Sequence, residues 1–136
     1  MKFNKVFPLA VVAVLVGGGV VVATKSNLNT QPNTTVNVVV PELSAKARIG
    51  QTKFNQNCVE CHGADAGGSE KGPPLIHRYY EPNHHADGAF FLAAQRGVRA
   101  HHWPYGDMPP QPHMSTVDMA AIVQYVRELQ KHNGIF

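Results

Sequence analysis

Cys58-Val59-Glu60-Cys61-His62 places two thiols one helical turn apart, with an imidazole directly after the second. At this spacing the sulfurs suit addition to the two vinyl groups of a haem. The adjacent histidine is then delivered to the iron as its proximal ligand. The chain holds no other cysteine, so the motif uses the whole thiol supply. A bare C-x-x-C also admits a redox dithiol or half of a zinc site. A redox dithiol has no need of an imidazole at that position, and His62 therefore favours covalent haem.

At 136 residues the chain has room for one domain, and the stretch that reads as globular is shorter, residues 41–136. A core of that size is modest, and a buried haem would add apolar contact area that side chains alone lack. The formal charge of +3 is concentrated at the N-terminus. Without Lys2 and Lys5, 10 basic residues face 9 acidic ones, and no charge run remains. Nucleic acid is therefore not an expected partner.

Residues 1–25 have the composition of an export segment. Lys2 and Lys5 precede an uncharged apolar run, residues 6–23, which as a helix would reach about 27 Å. A cleaved signal peptide and an uncleaved membrane anchor both fit, and the length of the run favours the anchor. Either places the domain on the extracytoplasmic (periplasmic) side, which suits a haem attached after export. Residues 26–40, rich in Asn, Thr, Gln and Val, read as a polar linker. Val38-Val39-Val40 has strand character but no visible partner.

From Glu42 the pattern turns helical. Leu43, Ala47, Gly50 and Phe54 fall on one face, with Pro41 suited to the start. Gly50 inside a helix suggests close approach by another element. Ala86–Gly97 predicts a shorter helix with Asp87 as N-cap and Gly97 at its end. Near the C-terminus Val117, Ala121, Ile122, Tyr125, Val126 and Leu129 form an apolar stripe, with Asp118, Gln124, Arg127 and Lys131 opposite. Ser115 and Asp118 resemble a capping box. The rest is broken by Gly and Pro, so the fold class is all-α, with three to five helices and long loops around one haem.

The sixth iron position separates electron transfer from catalysis. Met108, Met114 and Met119 are the candidates. Met119 lies inside the last helix, where a core role is expected. Met108 sits in Gly106-Asp107-Met108-Pro109-Pro110, where Pro109 disfavours helical angles and stiffens the segment carrying the sulfur. Met108 is the leading candidate; Met114, a histidine or an open position are the alternatives. Loop packing would also account for Met108.

With these residues in place, the chain resembles the class I c-type cytochromes over about residues 41–129. Gly50 and Phe54 look like the family's N-terminal helix signature, and Tyr125 like the aromatic of its C-terminal helix. The resemblance implies that these helices cross at Gly50. Gly72-Pro73-Pro74-Leu75 is similar to a family loop whose carbonyl, here that of Pro73, accepts a hydrogen bond from His62 Nδ1. Met108-Pro109 matches the family's methionine strap. The resemblance implies one haem c held covalently through Cys58 and Cys61.

Eight histidines, all from position 62 onward, depart from that pattern. His84-His85 and His101-His102 are doublets. Neighbours on an extended strand point oppositely, so one doublet is not expected to give two ligands to one metal. Solvated surface or single hydrogen bonds would explain them. The sharper expectation is that one histidine from each doublet meets across the short helix and binds copper or zinc. Trp103 is placed to donate its N–H to a haem propionate or to serve as ordinary core. Arg99 is a second propionate candidate or simply solvated.

Three roles follow. The first is an electron carrier with His62/Met108 ligation, meeting extracytoplasmic or membrane-bound redox proteins through small transient interfaces. It is not an enzyme by itself, though it could be a subunit of a larger oxidoreductase. The second is a peroxidase-like haem enzyme or gas sensor with an exchangeable sixth ligand. The third is a metal-delivery or interaction module with a structural haem.

Overall fold

The computed structural model describes residues 14–16, 19–21 and 35–136. The rest of residues 1–25, read from sequence as an export segment, and residues 26–34 of the expected linker lie outside the described residues. Within that segment β1 (Val14–Val16) pairs antiparallel with β2 (Gly19–Val21), Val14 opposite Val21. β-branched valines favour such extended backbone. Among the described residues no helix is long and apolar enough to cross a membrane.

The domain is helical: α1 (Ala45–Asn57), α2 (Val59–His62), α3 (Asp87–Arg96) and α4 (Thr116–His132). Single 3₁₀ turns occur at Ala64–Ala66 and Arg78–Tyr80. α1 begins at Ala45, later than Pro41 suggested, because Ser44 is the residue that caps it. The Ser44 hydroxyl accepts from the Ala47 N–H at 3.2 Å and donates to Glu128 of α4 at 2.7 Å. Ser115 caps α4 as expected, its hydroxyl accepting from the Asp118 N–H at 3.1 Å. α3 differs: Ala86 occupies the N-cap with no side-chain bond, and Asp87 is the first helical residue. The Asp87 carboxylate is drawn instead to Arg127, whose Nε donates to it at 2.7 Å.

The α1–α4 contact is the main helix pairing, and Gly50 sits in it as the sequence pattern implied. A Cβ at Gly50 would lie 1.9 Å from the Ala121 carbonyl oxygen and 2.9 Å from Tyr125 Cβ. The two backbones are in contact, which only glycine permits. Beside this crossing Ala47, Phe54, Tyr125, Val126 and Leu129 are wholly enclosed. The rings of Phe54 and Tyr125 pack tilted at 5.7 Å.

Three assignments on this half of the molecule change. Val117 is 80 % exposed and lies off the apolar stripe, although its neighbour Asp118 pairs with Lys53 of α1 at 2.9 Å. Arg127 faces inward rather than to solvent, and Gln130 beside it is buried. Residues 35–40 dock on the domain instead of acting as free tether. The Val36 N–H donates to the Gly67 carbonyl at 2.7 Å. The Asn133 side-chain amide accepts from the Val39 N–H at 2.9 Å and donates to its carbonyl at 2.8 Å. Asn133 thus supplies the donor–acceptor pair that a neighbouring strand would give.

Gly88, the second residue of α3, has open space where its Cβ would be. Gly88→Ala should therefore raise stability by about 0.5–1 kcal/mol through helix propensity and a less flexible unfolded chain. Guanidinium unfolding followed by circular dichroism checks this; a loss of stability would contradict the open surroundings.

Candidate haem site

α1 ends as Cys58 turns the chain into α2, the Cys58 N–H donating to Phe54 O at 2.8 Å. α2 therefore carries Cys61 and His62 directly off the α1 core. Both thiols are free, Cys58 half-buried and Cys61 exposed. Burial, and then the proximity of Cys61, push the Cys58 thiol up to about 11. Desolvation holds His62 below the ordinary histidine range, opposed by its bond to Pro73. That direction favours the neutral imidazole, the form that ligates metals.

Its orientation is set by the chain that follows. The Gly68 N–H donates to the His62 carbonyl at 2.7 Å, and the Ser69 hydroxyl to that of Cys61 at 2.6 Å. Asp65 and Ala66 adopt positive φ, 50° and 59°, a conformation that L-residues hold only under outside support. The Tyr125 hydroxyl provides it, donating to Asp65 Oδ1 at 3.0 Å. Ala66 O then accepts from the Leu75 N–H at 2.8 Å and draws the Gly72–Leu75 loop over α2. There His62 Nδ1 lies 2.9 Å from the Pro73 carbonyl. A carbonyl only accepts, so Nδ1 carries the proton and Nε2 keeps its lone pair.

Met108 belongs to a strap tied to the end of α3. Val98 and Met108 form an antiparallel bridge, N–H to carbonyl at 3.0 and 2.9 Å in the two directions. Gly97 turns the chain at φ 74°, where a Cβ would lie 2.5 Å from the Met108 carbonyl oxygen. Asp107 braces the same loop, accepting from the Ala100 N–H at 2.8 Å. Met119 is buried in the core and Met114 packs against it. An open cavity of about 380 Å³ beside the bridge is lined by Arg96, Arg99, Asp107 and Met108, and excludes Cys58, Cys61 and His62.

Trp103 is the notable polar residue. Among the described residues its Nε1 is the buried side-chain atom that lacks a hydrogen-bond partner. The Tyr80 phenol, raised to about 12 chiefly by burial, lies close enough to feel the indole N–H but outside hydrogen-bond geometry. Arg99 is exposed and offers its carbonyl to His101 Nδ1 at 2.8 Å.

The doublets do not pair one to one. His84, His85 and His102 come together, a ring nitrogen of each within 4.8 Å of the other two. His101 stays outside, tied to Arg99. Both members of the first doublet contribute because residues 81–85 form a turn, the N–H groups of His84 and His85 both donating to Glu81 O at 3.0 and 2.8 Å. The alternation argument holds only for an extended strand. Tyr79 was not anticipated at all, yet its carbonyl receives His85 Nδ1 and its ring stacks on His102 at 4.6 Å. The adjacent His77-Arg78-Tyr79-Tyr80 stretch was the available signal.

The donor set fits a haem: two thiols, an oriented imidazole, a strapped thioether and an orphaned indole N–H that a propionate would satisfy. The profile of the cytochrome c family matches residues 47–130, well over half the chain. The protein belongs to this family, as a class I c-type cytochrome, and is a haem-binding electron-transfer protein. No curated protein matches it closely.

Proposed function

We propose that the protein carries one haem c, joined through Cys58 and Cys61, with His62 and Met108 as axial ligands. It would pass electrons between redox proteins on the extracytoplasmic side of a membrane and is not itself an enzyme. The observation that carries this reading is the His62 Nδ1–Pro73 bond. That bond fixes the imidazole's tautomer and aim immediately after the second cysteine.

When bound, the haem supplies a one-electron couple, which thioether ligation shifts to higher potential. The chain's part is positional. His62 is held by the Gly72–Leu75 loop, and Met108 by its backbone bridge to Val98 and by Pro109. A strap ordered in advance loses little entropy on ligation, so a weak sulfur ligand competes with water. Trp103 would give its N–H to a propionate. Residues 6–23, whether a leader or an anchor, would route the domain to the membrane. As an anchor they would raise its effective concentration at membrane partners. An exchangeable sixth position has less support: Arg99 is exposed, and the histidine doublets bond to one another and to loop carbonyls.

The optical spectrum of the oxidised protein, native and Met108→Ala, tests the reading. Both proteins should keep their pigment on the denatured chain in acidified acetone. The variant should lose the far-red thioether band. Its potential should fall by on the order of a tenth of a volt or more, within the roughly 0.8 V that axial ligands span. An unchanged spectrum would reassign the sixth ligand to Met114 or a histidine.

A further inference from the structure

We propose that His84, His85 and His102 form a second metal site, separate from the haem, for one divalent first-row cation, copper(II) or zinc(II). The motivating geometry is the spacing of the donors. Bonds of about 2.0–2.1 Å in a tetrahedral shell put ligand nitrogens roughly 3.3–3.4 Å apart. His84 Nε2 and His102 Nε2 are 3.3 Å apart. Two imidazoles at that distance share a proton or a cation. The third ring nitrogen lies within 4.8 Å of both, so a modest rotation closes the set.

Two of the three ligands are already oriented. His85 Nδ1 donates to the Tyr79 carbonyl, which leaves its Nε2 free for a metal. Arg127 Nη2 holds the His85 carbonyl at 2.6 Å and so fixes the backbone beneath the ring. His102 stacks on the Tyr79 ring with the planes inclined by 23°. Tyr79 therefore supports both rings, one through its carbonyl and one through its face. His84 is exposed and completes the shell from the solvent side.

No carboxylate belongs to the set, which disfavours calcium and magnesium, whereas imidazole suits copper and zinc. Copper(II) should bind more tightly than zinc(II). Three protein ligands leave a fourth position open to solvent, as in zinc sites that hold a water.

The test uses the full haem-loaded chain, titrated calorimetrically with copper(II) sulfate and separately with zinc chloride. One ion of each should bind per chain. His84→Ala and His102→Ala should each weaken binding about a hundredfold or more, at least the loss seen when a ligand's supporting partner is removed. His113→Ala, whose imidazole bonds to Asn57 elsewhere, should change nothing. Electron paramagnetic resonance of the copper adduct should count three nitrogen donors. That count is read on the native chain and stands even where a variant misfolds. Absence of saturable binding, fewer than three nitrogens, or an equal loss in His113→Ala would each overturn the proposal.

Discussion

Gly50→Ala is expected to destabilise the domain by about 3 kcal/mol or more, at or beyond the upper reach of ordinary overpacking. Two effects oppose each other. Alanine in a helix interior gains about 1 kcal/mol over glycine from propensity. Against that, the new Cβ would meet the Ala121 carbonyl oxygen at 1.9 Å, about 1.5 Å inside ordinary contact at 3.4 Å. The obstruction is backbone, so no side-chain rotation relieves it. α1 would have to retreat from α4 along their whole contact, opening the seam that encloses Phe54 and Tyr125. The clash should win.

The damage would not stop at stability. Tyr125 holds Asp65 in its positive-φ turn, and that turn sets Ala66 to receive Leu75 and so places Pro73 over His62. Gly50→Ala should therefore loosen the proximal histidine as well as the core. Guanidinium unfolding of the haem-loaded protein measures the first effect. The potential of any folded fraction reports the second. A stability change below about 1 kcal/mol would mean that the helices do not meet as closely as described. Gly88→Ala, with open space around it, is the matched control and should move stability the other way.

Gly50 was legible in the sequence because a glycine inside an otherwise good helical face has few reasons to be there. Cys58, Cys61 and His62 were legible because their spacing is the chemistry. The last helix was legible from its stripe, though not at its first turn: periodicity puts Val117 in line with Ala121, yet Val117 is left exposed. Residues 35–40 were misread for a related reason. Their composition is that of a tether, and the partners that dock them, Gly67 O and the Asn133 amide, lie far along the chain and carry no pattern. The histidine doublet defeated a period-two argument because a turn, not a strand, presents it. In each case residue type gave the local conformation, while partners distant in sequence decided which side faced inward.

Arg127 was hidden in the same way, since a charged residue opposite an apolar stripe reads as solvated. Its side chain is only 14 % exposed, and its guanidinium joins three segments. Nη1 donates to Tyr80 O at 2.7 Å and to Gln130 Oε1 at 2.6 Å, Nη2 to His85 O at 2.6 Å, and Nε to Asp87 at 2.7 Å. Gln130 continues the seam, giving its Nε2 to Leu75 O at 2.8 Å and Tyr80 O at 3.0 Å. α4 thereby clamps the loop between Leu75 and His85.

Arg127→Met keeps a stem of similar length over Phe90 but removes every donor. We expect it to cost about 3 kcal/mol, because hydrogen bonds from a charged donor are worth about 1.5–3 kcal/mol and two loop carbonyls lose theirs. The ion pair itself contributes little, since Asp87 is 64 % exposed and solvent screens it. Asp87→Asn should accordingly change stability by less than about 1 kcal/mol. Equal losses in the two variants would instead assign the stabilisation to the charge pair. Amide exchange separates the two readings further: in Arg127→Met the His84 and His85 amides should lose protection ahead of α1, because the loop is released before the core opens.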